Sequence, residues 1–455
     1  MTTTTQSPSY QRCAKCDSRF PDTDASPKCA ACGGLLEIVH SGLESRGPEL
    51  RARFAARRAD GSDGGSGVWR YREIVLPNAG DNIVSHPEGN TPLLARPRVA
   101  SWAGVEGLLL KHEGHNPTGS FKDRGMTVGV TQARRLGARA VACASTGNTS
   151  ASLAAYAAQA GMQALVFVPA GQVALGKLAQ SLAYGARTLL VRGDFDACLA
   201  LVQEASARLG IYLLNSINPF RVEGQKTIVL ETLEQLAWDP PDWIALPAGN
   251  LGNTAAFGKA LREAHQLGLI DRIPRIAAIQ AEGASPFAQS FRERFATRHR
   301  VKADTVATAI KIGDPASYDR AVETIRLTNG VVTSVSDAEI LDAKAVIDGA
   351  GVGCEPASAA SVAGVARLVR EGTIAPTERV VAVLTGHVLK DPGALLRYHQ
   401  ELSPPPRYAN PPVEIDATLE AIERVLDPPI SAPATAPDAT ARGRACRRES
   451  SAETS

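Results

Sequence analysis

The stretch HNPTGSFKDRG, residues 115–125, sets one lysine, Lys122, among small and polar neighbours and directly before an aspartate and an arginine. Two chemistries fit that placement. One is a solvated ammonium on a charged surface turn. The other is a reactive amine at the wall of a dry pocket, where loss of water lowers its proton affinity and makes it a nucleophile and a base. Three further segments hold residues able to bind anions. STGNTSAS (145–152) offers hydroxyls and an amide at a helix start, and AGNLGNTAA (248–256) offers backbone N–H groups that could converge on a phosphate. TGHVLKDP (385–392) begins with a strand-end hydroxyl, Thr385. Taken singly, each also suits an ordinary strand-to-helix turn, which uses Gly, Asn and Ser for its geometry. Their order in one chain, after a lone lysine, favours a cofactor pocket.

The cysteines divide into two groups. Cys13, Cys16, Cys29 and Cys32 have the spacing C-x2-C-x12-C-x2-C, in which two tight turns each present two thiolates that can complete a tetrahedral zinc site; the alternative is a ribbon that keeps its shape without the metal. Cys143, Cys198, Cys354 and Cys446 stand alone. Those in apolar runs (VACAS, DACLALV) read as reduced core residues of a cytoplasmic protein. Arg12, Lys15, Arg19 and Lys28 surround the paired cysteines without a dense basic stripe or interleaved aromatics, so a ribbon that binds nucleic acid is disfavoured.

These groups need a scaffold, and the chain supplies a repeating one. Apolar or β-branched runs (GLLLKHE, RAVACAS, QALVFV, RTLLV, WIALPAG, RIAAIQA, RVVAVLTG) alternate with Ala-rich stretches of helical spacing. Such alternation, with runs apolar throughout, predicts parallel sheets covered on both faces. Ligands in these sheets sit beyond the carboxyl ends of the strands, where STGNTSAS, AGNLGN and TGHVLKDP fall.

With 455 residues, 44% apolar and 21% charged, the chain reads as a globular protein of two or three domains. Lys and Arg number 49 against 47 Asp and Glu, a balance that gives no field for nucleic acid or an anionic membrane. No run reaches bilayer length. MTTTTQSPSYQR reads as a short flexible leader without an apolar signal core, so export is not expected. ADGSDGGSG (59–67) reads as a flexible linker. Beyond Leu402 the Pro-, Ala- and Ser-rich sequence predicts a tail with one short helix in VEIDATLEAIERVL and a disordered last thirty or so residues.

The segments EGNTPLL, NPTGSFKDRG, STGNTSAS, NSINPFRVEGQKT, PAGNLGN, AIKIGDPAS, CEPASAASVAG and TGHVLKDP follow one another between about residues 85 and 395. In that order they resemble the threonine synthase family, within the tryptophan-synthase-β-like (fold type II) pyridoxal-phosphate enzymes. The resemblance implies two open α/β domains with mainly parallel sheets, preceded by a small zinc-ribbon-like segment. The ribbon takes residues 1–40 and a linker and lead-in 41–84. The large cofactor-binding domain takes 85–126 and 220–402, the small domain 127–219, and the tail 403–455.

For the site, the resemblance implies pyridoxal 5'-phosphate in Schiff-base linkage to Lys122, with Phe121 against the ring. Gly249, Asn250, Leu251, Gly252 and Asn253 would cradle its phosphate, Asn148 would meet the phenolic oxygen and Thr385 the pyridine nitrogen. A neutral hydroxyl there moderates the ring's electron withdrawal. The implied reaction turns O-phospho-L-homoserine and water into L-threonine and phosphate, in a homodimer. It needs a second phosphate site, for which NSINPFR supplies Asn215, Ser216 and Arg221, the guanidinium fork pairing two oxygens at once. Thr149 would add a hydroxyl, and Ser145 and Thr146 would hold the substrate carboxylate. Leu251 and Val388 stand where the family commonly has a smaller residue and a glycine. Alternatives are a close paralogue using another phosphorylated amino acid or nucleophile, cysteate-synthase-like, or a threonine- or serine-dehydratase-like lyase.

Overall fold

The computed structural model describes residues 9–42, 46–60, 65–171, 178–193 and 195–426. Residues 61–64 of the glycine-rich stretch, Cys446 and the last thirty or so residues, expected to be disordered, lie outside these. Contacts divide the chain after Ala409 into two units.

The first unit opens with β1 (Ser9–Cys13), β2 (Arg19–Pro21) and β3 (Leu36–His40), an antiparallel sheet in the order β2-β1-β3. Helix α1 (Gly47–Asp60) follows, then β4 (Leu93–Ala95), α2 (Pro97–Ala103), β5 (Gly107–His112) and α3 (Lys122–Arg135). Next come β6 (Ala140–Ala144), α4 (Asn148–Gln159), β7 (Gln163–Pro169), α5 (Ala179–Ala183), β8 (Arg187–Val191), α6 (Phe195–Leu209) and β9 (Tyr212–Leu213). Helices α7 (Pro219–Gln225) and α8 (Thr227–Gln235) lead to β10 (Trp243–Pro247), α9 (Gly252–Gln266) and β11 (Arg275–Ala281). The rest is α10 (Pro286–Arg292), α11 (Tyr318–Leu327), β12 (Val331–Val335), α12 (Asp337–Asp348), α13 (Pro356–Arg370), β13 (Arg379–Leu384) and α14 (Pro392–Leu396). In the second unit, α15 (Leu419–Val425) is the short helix expected in the tail.

Two α/β sheets result. The larger has the order β12-β11-β10-β13-β5-β4, parallel except at β4, and the smaller is the parallel set β8-β7-β6-β9. In the larger sheet the chain steps outward from β10 to β12 and then returns to insert β13 between β10 and β5. Such a reversal leaves a crevice at the carboxyl ends of the strands beside it. Gly249–Asn253, Thr385 and Lys122 follow these three adjacent strands. In the smaller sheet β6 and β9 are neighbours, and they precede Ser145–Ser152 and Asn215–Ser216.

Burial follows position in the sheet. β10 is buried throughout, and β6 and β13 at all but their first residue. RTLLV, grouped with the fully covered runs in the sequence, is instead the edge strand β8 and leaves Leu190 61% exposed. The region before β4 also departs from a free linker. Phe54, Trp69 and Tyr71 enter the main core beside Phe257 and Leu261, because large aromatic surface outweighs the Gly and Asp around it. Ser66 is buried and donates to Glu88 at 2.9 Å, and a Cβ on Gly89 would fall 2.4 Å from Gly67 Cα. No helix among the described residues is long and apolar enough to cross a membrane.

Candidate active site

Lys122 opens α3, and the loop before it is folded back against the residues after β13. Ser120 and Gly386 form an antiparallel bridge, Phe121 N–H donates to Thr385 O at 3.0 Å, and His387 N–H to Gly119 O at 2.9 Å. Gly119 turns with φ +83°, and a Cβ there would press on Lys390 Cε at 3.0 Å. The charged pair after the lysine is not on a solvated turn. Asp123 accepts from the Thr118 N–H at 2.7 Å and hydroxyl at 2.6 Å. Arg124, wholly buried, joins Glu113 at 2.6 Å and Glu231 at 2.8 Å, and Lys111 (2.6 Å) and Arg70 (3.1 Å) converge on the same Glu231. The segment EGNTPLL serves this knot, since the N–H groups of Asn90 and Thr91 donate to Glu231.

Lys122 Nζ lies 3.6 Å from the centre of the Phe121 ring. Burial lowers its proton affinity, the Arg221 charge lowers it further and Glu355 opposes them, leaving a pKa of about 7 instead of 10.5. An amine poised there serves as nucleophile and general base at neutral pH.

Asn148 opens α4 and Thr385 directly follows β13, and a carboxyl group brings them together. Asn148 Nδ2 donates to Glu355 Oε2 at 3.0 Å, while Thr385 Oγ lies 3.3 Å from Glu355 Oε1 and 3.0 Å from Ser358 Oγ. Glu355 was not among the residues singled out in the sequence. Its only signal there is an acid directly before the proline that starts a helix, in CEPAS.

In the glycine loop, Leu251 takes a left-handed backbone (φ 62°) while its side chain, 2% exposed, packs in the main core. Gly249 has no room for a side chain, since a Cβ would sit 2.8 Å from Ile310 Cα. Asn250 is fixed at both ends, donating to Ser216 Oγ at 2.6 Å and accepting from Ala316 N–H at 2.7 Å. Gly252 begins a helix of 15 residues, whose first N–H groups have no intrahelical partner. Asn253 Oδ1 and Thr254 Oγ are buried without a hydrogen-bond partner. A phosphate, with several acceptor oxygens at a helix N-terminus, fits the N–H groups and the Thr254 hydroxyl.

Arg221 reaches the same region on α7, which crosses α3 with almost no side chain between them. A Cβ on Gly224 would overlap Arg124 O at 1.7 Å, and one on Gly125 would meet Arg221 O at 2.9 Å. Arg221 is 2% exposed, donates to Leu214 O at 3.0 Å, leaves Nε without a partner, and has no ion pair among the described residues. Burial pulls its pKa from 12.5 to about 10. Asn215 spends its amide on strand ends, accepting from Ala144 N–H at 3.1 Å and donating to Ala144 O at 3.4 Å. Ser145 and Thr146, in the turn into α4, and Thr149, in its first turn, are half-buried. Val388 packs on Gly353, whose Cβ would lie 3.2 Å from its own.

The four N-terminal cysteines cluster, with all Sγ atoms within 4.8 Å of one another. Tetrahedral zinc at a Zn–S distance of about 2.3 Å asks for sulfurs about 3.8 Å apart, and Cys13–Cys32 at 3.4 Å and Cys16–Cys29 at 3.7 Å fit. Gly34 must lack a side chain, for its Cβ would fall 2.8 Å from Cys13 Sγ. This ribbon is docked on the helices behind the site. His40 pairs with Glu223 at 3.0 Å, Arg320 donates to Leu36 O at 2.6 Å, and Lys259 donates to Ile38 O. A cavity of about 90 Å³ lined by Glu37, Glu223, Lys259, Arg262 and Arg320 lies at that junction.

Comparison with known proteins agrees with this geometry. A family model described as "Pyridoxal-phosphate dependent enzyme" matches residues 84–386. Threonine synthase of Methanocaldococcus jannaschii is 44% identical over 91% of this chain and 99% of its own length. Threonine synthase 2, chloroplastic, of Arabidopsis thaliana is 39% identical over 90% and 84%. Among solved structures, threonine synthase from Escherichia coli superposes with a TM-score of 0.67 at 18% identity, covering 91% of this chain and 94% of that one. The chain belongs to the pyridoxal-phosphate-dependent enzymes of fold type II, and within them to the threonine synthase family.

Proposed function

We propose that this chain converts O-phospho-L-homoserine and water into L-threonine and phosphate, with Lys122 as the residue that carries the cofactor and moves the protons. Bound pyridoxal phosphate supplies the electron sink that acidifies carbons next to the substrate nitrogen. The residues around it have separable tasks. The N–H groups of Gly249–Asn253 hold the cofactor phosphate, Phe121 flanks the ring, and Asn148 and Thr385 orient its edge. Lys122 Nζ, at a pKa of about 7, takes a proton from the substrate and returns it without a large penalty in either direction. Ser145 and Thr146 hold the carboxylate, and Thr149 adds a donor to the phosphate.

The observation that carries this reading is Arg221. A guanidinium 2% exposed and without an ion pair among the described residues is costly unless an anion arrives. The glycine loop already serves one phosphate, so a second dianion is the natural partner. Ser216 stands between the two sites, accepting from Asn250 and keeping its own hydrogen to donate. Asn215 belongs to this phosphate end through the strand terminus it secures.

We also retain the division into large domain, small domain, ribbon and tail at the boundaries read from the sequence, and expect a homodimer in the cytoplasm. Size by sedimentation tests the dimer. The function is tested by incubating the cofactor-loaded protein with O-phospho-L-homoserine and measuring threonine and phosphate, expected in equal amounts. A yellow protein that releases neither from this substrate, yet acts on another amino acid, would identify one of the alternative lyases.

A further inference from the structure

Glu355 has no task in the account above, and its surroundings limit where hydrogens can go. Its N–H donates to Gly386 O at 3.0 Å, Pro356 follows it at the start of α13, and Gly386 is pressed so close that a Cβ would fall 2.5 Å from the carboxyl carbon. One carboxyl oxygen accepts from Asn148 Nδ2 at 3.0 Å; the other lies 3.3 Å from Thr385 Oγ. Ser358 Oγ, 3.0 Å from Thr385 Oγ, accepts from Gly386 N–H at 2.9 Å. Thr385 has a single hydrogen to give. A carboxylate would claim that hydrogen and leave only a lone pair for the pyridine nitrogen, acceptor against acceptor.

A carboxylic acid reverses the direction. It donates to Thr385 Oγ, which frees the Thr385 hydrogen for the ring, and its other oxygen still holds Asn148. The second hydrogen of Asn148 Nδ2 then remains for the phenolic oxygen. The surroundings favour the acid. Glu355 is 4% exposed, has no ion pair among the described residues, and its pKa is raised, chiefly by burial, against the opposing pull of Asn148, Lys122, Lys390 and Thr385. Of the two lysines whose charges oppose the acid, Lys122 is the one the cofactor would engage.

We propose that Glu355 is a positioning residue for the cofactor ring: it donates to Thr385 Oγ, turns the Thr385 hydrogen toward an unprotonated pyridine nitrogen, and holds the Asn148 amide with its other oxygen. This rests on the cofactor reading given under Proposed function. The test uses the full chain loaded with pyridoxal phosphate labelled with nitrogen-15 in the ring, and reads the ring nitrogen's NMR shift together with cofactor affinity. Glu355→Gln presents an N–H donor to Thr385 and a carbonyl to Asn148, and is expected to keep the parent's shift and affinity. Glu355→Met, similar in volume but without either bond, is expected to move the ring signal and weaken cofactor binding by at least about tenfold. If Glu355→Met does not fold, Thr385→Val supplies the comparison, because loss of the hydroxyl must move the ring signal as well.

A moved ring signal in Glu355→Gln means that the parent uses a carboxylate and overturns the proposal. An unmoved signal in Glu355→Met, or in Thr385→Val, means that no hydrogen is being steered and overturns it too, and in Thr385→Val it removes the Thr385 contact as well, while carriage of the cofactor by Lys122 stands. A parent that binds no pyridoxal phosphate overturns the cofactor reading, and this proposal with it.

Discussion

Arg221→Met separates the cost of an arginine from its use. In the protein without substrate, burial holds the Arg221 pKa at about 10 instead of 12.5, which corresponds to roughly 3 kcal/mol against the charged form. For a base whose folded pKa is depressed, that cost is complete below pH 10 and is relieved only as pH rises from 10 toward 12.5. At pH 7 the full penalty applies, and no carboxylate among the described residues offsets it. Methionine fills similar space without the charge. The cofactor-free, phosphate-free variant should therefore be more stable than the parent in the same state, by about 1–3 kcal/mol or several degrees in melting temperature.

Its chemistry should fail in the opposite sense. A bidentate guanidinium–phosphate contact contains two charge-assisted hydrogen bonds at about 1.5–3 kcal/mol each. Losing both lowers kcat/KM for O-phospho-L-homoserine by roughly a hundredfold to ten-thousandfold. Arg221→Lys should recover part of it, since one ammonium cannot reproduce the fork. The assays are thermal melting with and without inorganic phosphate, and phosphate release. A variant that turns over the substrate like the parent, or gains as much stability from inorganic phosphate, refutes the assignment.

Borohydride reduction of the loaded protein should attach pyridoxyl to Lys122, and Lys122→Ala should lose turnover; peptide mapping that finds the label elsewhere counts against the site. Because the Lys122 pKa is about 7 in the fold, its burial cost is complete below pH 7 and fades toward 10.5. The cofactor-free parent should therefore gain stability relative to Lys122→Met across that interval, measured by melting at several pH values. Metal analysis should find one zinc per chain, lost or reduced in Cys29→Ser. Glu231→Gln should destabilise by about 3–5 kcal/mol, because Arg70, Lys111 and Arg124 would share one carboxylate fewer in a place without water; an unchanged denaturation midpoint would show that the knot is slack.

Lys122, Asn148, Gly249–Asn253 and Thr385 were legible because each follows a strand in a turn whose residue types are unusual together. Strand order was not legible: nothing in RVVAVL says that β13 inserts between β10 and β5, yet that insertion makes three separate turns neighbours. Glu355 escaped for a related reason, since a lone acid before a proline reads as a helix start until Asn148 and Thr385 are seen on either side of it. Asp123 and Arg124 were readable as charges but not as anchors, because their partners, Thr118 apart, lie as far away as Glu231. β8 misled because an apolar run looks alike in the middle of a sheet and at its edge. Trp69 and Tyr71 were hidden by the glycine-rich sequence before them.

The backbone of Lys122 is pinned from both directions, by the Ser120–Gly386 bridge before it and by Asp123 and Arg124 after it. Its Cα is therefore a fixed pivot. If Lys122 moves the protons as proposed, a proton carried between two carbons of a bound substrate would travel by rotation of the lysine's four methylenes, like the tip of a crane whose base is bolted down. On that reading the arc the amine can sweep is set by the side-chain torsions above a fixed base, so the substrate must be brought to the lysine and not the lysine to the substrate.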